Sequence, residues 1–321
     1  MKRVLKLKLV LAGIVIVNLN LNAQDYHFSQ FDALSPTYQP GLTGMFTDYK
    51  YKAATQYRNQ WRPLANKPFS TFALSYEMPV DKRWGVGGYI INYDGAKVFN
   101  AFNMVVSGAY KITDPNQKEH LLTAGLQMGI IYRNTNAIDL LFENQYDNGD
   151  FNPVLPSNEN FQRFSKLMPE FNIGGYYEWT DNNNKYHPYA GASVFHITSP
   201  KESFLENASD SRLPRRYLLH TGCKYDINEE IGLNAKLMYQ TQRKAQELLM
   251  GLTGSYSFDK KNTDVSLGCY YRLKDAVSVI TAVTYEDMTF GVSYDFTTSD
   301  LRNFNRGLGG LEFTLSYIPK K

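Results

Sequence analysis

Cysteine is nearly absent from this sequence: two in 321 residues, too few for a disulfide scaffold. Charge of one sign is lacking as well. Lys+Arg number 34 and Asp+Glu 31, and a net +3 excludes the strongly basic surface of a nucleic-acid binder. Beyond the N-terminal segment no apolar run approaches the ~20 residues a membrane-crossing helix needs. Motifs of soluble chemistry are missing too, with no GxxxxGK[ST], no CxxC, no HExxH and no EF-hand loop. The histidines (His27, His120, His187, His196, His220) show no ligand spacing, so no metal site and no cofactor are expected. His196 and His220 flank Asp210, but no nucleophile elbow accompanies them, so no catalytic residue and no enzyme activity are expected.

Aromatic residues are plentiful. They make up 14% of the chain, with 24 Tyr and 19 Phe, while only 20% of residues are charged. That balance excludes disorder and a coiled coil and points to a folded β chain. The first 23 residues read as a secretory signal: Lys2, Arg3, Lys6 and Lys8, then an apolar run over 9–17, then Leu21-Asn22-Ala23 as the cleavage site. Gln24 follows, so there is no cysteine to acylate.

From residue 49 onward the chain repeats one pattern, an alternating segment followed by a polar turn. Phe290, Val292, Tyr294 and Phe296 alternate with Gly291, Ser293 and Asp295; Leu311, Phe313, Leu315 and Tyr317 alternate with Glu312, Thr314 and Ser316. Fourteen such segments occur, near 49–61, 69–79, 84–94, 98–112, 120–134, 168–180, 186–198, 214–227, 230–242, 246–258, 263–274, 276–286, 288–299 and 310–319. The spacing, roughly 21 residues per strand and connector, suits strands that cross a membrane. Most prolines fall in connectors or at strand ends; Pro188, early in the seventh segment, is the exception. Gly85-Val86-Gly87-Gly88 lies inside a strand and reads as relief of crowding in the sheet. Cys223 and Cys269 share the apolar phase of non-neighbouring strands, so they are expected to face lipid unpaired.

Loop length separates a barrel from a sandwich. Connectors after even-numbered segments are all short, whereas both long ones, 135–167 and 199–213, follow odd-numbered segments. All the bulk therefore falls on one end, as in an outer-membrane barrel. The expected fold is an all-β, transmembrane, antiparallel up-and-down barrel of about 14 strands. The expected division is a signal peptide at 1–23, a periplasmic N-terminal segment at 24–48 that caps or enters the barrel, and the barrel at 49–321.

The polar face of the first segment carries Lys52, Gln56, Arg58 and Gln60 and should line the lumen. Arg58, Asn59, Arg62, Arg133, Arg272 and Glu312 are the candidate lumen or partner residues, with Arg58 and Arg62 expected to pair with acids such as Glu312 where the first and last strands close the barrel. The long connector supplies the candidate docking residues Asp139, Phe142, Glu143, Tyr146, Asp150 and Phe151, acidic and apolar together, able to plug the lumen or meet a partner.

Four stretches resemble a known family. They are His27-Phe28-Ser29-Gln30-Phe31 with Gln39-Pro40-Gly41-Leu42-Thr43-Gly44; Tyr57-Arg58-Asn59-Gln60-Trp61 with Pro68-Phe69-Ser70-Thr71; Gly85-Val86-Gly87-Gly88-Tyr89-Ile90-Ile91-Asn92; and Gly291-Val292-Ser293-Tyr294-Asp295-Phe296 with Gly310-Leu311-Glu312-Phe313. They are similar to signatures of the PorP/SprF outer-membrane proteins of type IX secretion in Bacteroidota. Gln39 and Gly41 stand where that family usually shows Asn and Ala. The resemblance implies a non-enzymatic barrel in the outer membrane, contacting its lipid and serving protein secretion and gliding motility. It implies as partners cargo with C-terminal sorting domains and a peptidoglycan-binding OmpA-like periplasmic protein. An outer-membrane porin or hydrophobic-solute channel is the alternative.

Overall fold

A computed structural model describes residues 25–61, 68–117, 119–136, 143–147, 150–152, 154–156, 164–181, 183, 185–203, 211–258 and 263–321. The expected signal peptide lies outside them, as do Arg62, Asp139 and Phe142.

Fourteen antiparallel strands close into a barrel. They are β1 Lys52–Gln60, β2 Phe69–Pro79, β3 Trp84–Gly95, β4 Phe99–Lys111, β5 His120–Thr135, β6 Ser165–Trp179, β7 Tyr186–Phe195, β8 Arg216–Asp226, β9 Ile231–Gln242, β10 Ala245–Phe258, β11 Thr263–Arg272, β12 Ala276–Tyr285, β13 Met288–Thr297 and β14 Leu308–Tyr317. Each neighbours the next in sequence, and β14 returns to pair with β1. Period-2 alternation sets the faces. On β2, Thr71, Ala73 and Ser75 are buried while Phe72, Leu74 and Tyr76 are exposed, so the apolar side chains form the outer belt and the small or polar ones the lining. No described helix is long and apolar enough to cross a membrane; the strands do the crossing. Cys223 and Cys269 are free, on the outward phase of β8 and β11.

The two prolines inside strands share one seam. β6 begins three residues earlier than its alternation suggests, which places Pro169 within it. Phe171 turns its carbonyl toward β7, where the amide of Ile197 donates to it at 3.0 Å. Pro169, two residues away, points the same way by strand parity. On the facing edge Tyr186 accepts from the amide of Asp181 at 3.1 Å, so Pro188 also points into this seam. A missing N–H is harmless only where no ladder bond is needed. Pairing between β6 and β7 accordingly covers only Ile173–Glu178 against Tyr189–Val194, whereas β5 pairs with β6 from His120 to Asn134.

In the long connector, a 3₁₀ turn at Glu143–Gln145 precedes a two-stranded ladder of Tyr146–Asp147 with Asp150–Phe151. The docking candidates Tyr146, Asp150 and Phe151 thus lie on one short hairpin, with Glu143 in the turn before it.

Candidate functional site

Residues 25–48 form a strap that runs the length of the lumen. At the loop-rich end, Asp25 meets His196 beyond β7, with Asp25 Oδ2 and His196 Nε2 2.6 Å apart. At the short-turn end the amide of Gly44 donates to Glu77 at 2.9 Å. Between them Phe28 and Leu34 pack on the β1–β4 wall with Ala54, Ala73, Ile91 and Val105. Phe31 packs on the opposite wall with Phe195, Leu218, Met238, Leu249, Tyr270 and Ile280. Each buried side chain of this kind stabilises by about 1.5–3 kcal/mol, enough to hold a segment broken by Pro36 and Pro40. Gly44 (φ +64°) and Gly85 let the strap touch the wall, since a Cβ on Gly85 would lie 2.2 Å from the Thr43 carbonyl oxygen.

The strap is pinned by buried charges. Arg58 sits opposite Glu312 in the β1–β14 register, and both are sequestered, at 1% and 0% exposure. Arg58 Nη1 lies 3.0 Å from Glu312 and Nη2 lies 2.6 Å from Asp295. Glu312 also accepts from the Ser29 amide (2.9 Å), the Gln30 amide (2.8 Å) and the Gln56 side chain (2.7 Å). Ser29 Oγ donates to Asp295 at 2.6 Å and accepts from Arg272 at 3.1 Å. Arg272 in turn faces Asp275 at 2.7 Å and Glu247 at 3.6 Å. The desolvated carboxylates and guanidiniums are thus paired and hydrogen-bonded, the condition for tolerating buried ions.

A second cluster closes the loop-rich end. His196 Nδ1 is 2.8 Å from Glu170, opposite its Asp25 contact, and Arg133 reaches Asp25 at 3.6 Å and pairs with Glu202. Burial opposes charge on His196, but Asp25 and Glu170 outweigh it and raise its pKa to about 9. Burial likewise pushes Asp25 up, yet His196, Arg216 and Arg133 hold it well below the usual carboxylate range. Lower in the lumen Asp32 pairs with Lys236, which also donates to Tyr270 at 2.9 Å.

Of the residues singled out from sequence, Arg58, Arg133, Arg272 and Glu312 face the lumen. Asn59 does not: it shares the outward phase of Tyr57, toward whose hydroxyl its amide points at 3.4 Å. Sequence reasoning gave Asp25 no partner, considered His196 only beside His220 and Asp210, read Glu170 as a lumen acid without linking it to His196, and gave Ser29 and Gln30 no charge partner. The signal available was the motif set, because Ser29 and Gln30, Arg58, Asp295 and Glu312 come from three of the four quoted stretches and meet at one point.

The weak β6–β7 seam carries the third feature. Outside it lies an apolar groove of 630 Å³ lined by Gly175, Tyr177, Ala190, Ala192, Leu219 and Leu237. Inside lies a polar vestibule of 240 Å³ with Asp32, Tyr38, Glu178 and Lys224. Tyr176, His220 and Thr221 border both. From the strap, Gln39 donates to the Gly175 carbonyl at 2.9 Å and its amide nitrogen lies 3.2 Å from His220, so the strap bridges the seam where ladder bonds are fewest. Among the described residues no His, Cys, Asp and Glu cluster is arranged to hold a metal ion.

The family model for the type IX secretion system membrane protein PorP/SprF matches residues 20–317. Among solved structures the chain is similar to the toluene transporter TbuX of Ralstonia pickettii, with 9% identity over 92% of this chain and 95% of that one and a TM-score of 0.53. It is also similar to the toluene transporter TodX of Pseudomonas putida, at 8% identity over 92% and 94% with a TM-score of 0.52. A third is the CymD monoaromatic hydrocarbon channel, at 10% identity over 90% and 93% with a TM-score of 0.53. At such identities the likeness is one of fold. No curated protein matches the chain.

Proposed function

The chain belongs to the PorP/SprF family of type IX secretion system membrane proteins, and from that premise we propose that it is a non-enzymatic docking barrel of the outer membrane. The carrying observation is the strap. A lumen filled by residues 25–48 and locked by Arg58, Glu312, Asp295 and Arg272 is poorly suited to steady conduction, so the working surfaces are the two ends.

The loop-rich end faces outward, as in other barrels with long loops on one side. Its long connector, 135–167, with the candidates Asp139, Phe142, Glu143, Tyr146, Asp150 and Phe151, receives cargo bearing C-terminal sorting domains. The short-turn end receives a peptidoglycan-binding OmpA-like periplasmic protein. The test joins affinity capture from native outer membranes with single-channel recording, for the native chain and a variant lacking 144–160. Silent barrels that lose cargo on deletion support the reading. Steady current from the native chain, or cargo retained by the deleted one, overturns it.

The groove at the β6–β7 seam favours a second reading, passage of a small apolar solute from the membrane into the vestibule. Ala192→Trp would fill the groove without touching the charge network. Binding of an apolar fluorescent probe that is unaffected by this change would remove the second reading.

A further inference from the structure

We propose that the loop-rich rim is a collar that binds phosphate groups on anionic lipid headgroups. Four exposed cations at that rim, Lys97, Arg243, Lys274 and Arg306, adopt left-handed backbone conformations, with φ of 64°, 57°, 59° and 57°. Glycine and asparagine take this conformation most readily, and a long charged side chain takes it at a conformational cost. Cations stand instead in the β3–β4, β9–β10, β11–β12 and β13–β14 turns alike. At the opposite end, the exposed left-handed turn residue is an acid, Glu286 (φ 53°).

The wider charge distribution runs the same way. Lys201 and Arg215, between β7 and β8, are exposed at the loop-rich rim, where Asp300 is exposed and Asp94 and Asp275, in the turns of Lys97 and Lys274, are half-buried. No described carboxylate lies within ion-pair reach of Lys97, Arg243, Lys274 or Arg306. The short-turn rim mixes signs, with Asp81, Glu229 and Glu230 exposed beside Lys82 and Lys185.

Placement selects a lipid over a protein. The cations occupy turns spread around one end of the barrel, and such a ring meets a planar headgroup layer, whereas one acidic protein would cover an arc. Apolar side chains adjoin the ring, with Leu273 next to Lys274 and Phe296 and Leu308 near the last turn, all exposed. Cations reaching the interface above an apolar belt are placed to neutralise lipid phosphate. The leaflet involved rests on the orientation proposed above; the binding chemistry does not.

The experiment uses the full purified barrel in neutral detergent with lipid A carrying two, one or no phosphates, and native mass spectrometry as the readout. The expected order of retention follows phosphate number, weakens with salt, and is not competed by equimolar inorganic phosphate. The variant Lys97→Asn/Arg243→Asn/Lys274→Asn/Arg306→Asn keeps residues that accept the left-handed backbone, so it should fold and should retain several-fold less doubly phosphorylated lipid. Equal retention of the three lipids, retention by the variant like that of the native chain, or binding by the native chain only after 144–160 is deleted would each overturn the collar. If the variant does not fold, the phosphate and salt series on the native chain decide. Labelling of Arg243→Cys in intact cells by an impermeant reagent tests orientation separately.

Discussion

Arg58 and Glu312 are register partners across the β1–β14 seam, 3.0 Å apart, and both are removed from solvent. The ion pair that closes the barrel is therefore also the one that grips the strap, because Glu312 takes the amides of Ser29 and Gln30. Closure and filling share their central residue.

Arg58→Met should destabilise strongly, since Glu312 and Asp295 would be left buried with less compensating charge. The expected loss is about 3–5 kcal/mol, read from the urea midpoint of the refolded barrel. Arg58→Met with Glu312→Gln should cost less than the sum of the single changes. Additive losses would mean that the pair is not coupled.

Alkaline pH should loosen the loop-rich end of the strap. His196 is raised from 6.5 to about 9, so its charge stabilises fully below about 6.5 and that contribution is lost as pH rises through about 9. The whole contribution is on the order of 3 kcal/mol. Hydrogen exchange near Asp25–Phe28, corrected for its intrinsic pH dependence, should quicken between pH 7 and 10 in the native chain. It should change far less in His196→Gln.

Gly85→Val tests whether the strap is held by close approach. Even a Cβ at this position meets the Thr43 carbonyl, so the strap must shift, at about 1–3 kcal/mol for overpacking. Single-channel recordings should show current absent from the native barrel. A silent, stable variant would mean that the strap stays in place without this contact.

Gln39→Ala should weaken the β6–β7 seam, where Pro169 and Pro188 already remove ladder donors. The Gly175 carbonyl loses its 2.9 Å donor, at about 1–2 kcal/mol. Exchange should quicken at Gly175 and Ala192 but not at the fully laddered β5–β6 seam. Uniform exchange across both seams would count against a local role.

Strand number and facing were legible in the sequence, because period-2 alternation has only two phases and a charged residue in the lipid phase is costly; closure was legible in the connectors, whose bulk all falls on one end. Arg58 opposite Glu312 was legible because the first and last strands must meet. Asn59 stands on the outward face with Tyr57, because a period of two sends it to the side opposite Arg58. The conflict at Pro188 resolved only when both edges of one seam were in view, since a missing donor has meaning only relative to the strand beside it. The path of the strap was decided by tertiary structure alone. Asp25 finds His196 across 171 positions of chain, and Phe28 and Phe31 divide between opposite walls; no local period encodes such contacts, because they depend on the width of a lumen that exists only once all fourteen strands have closed.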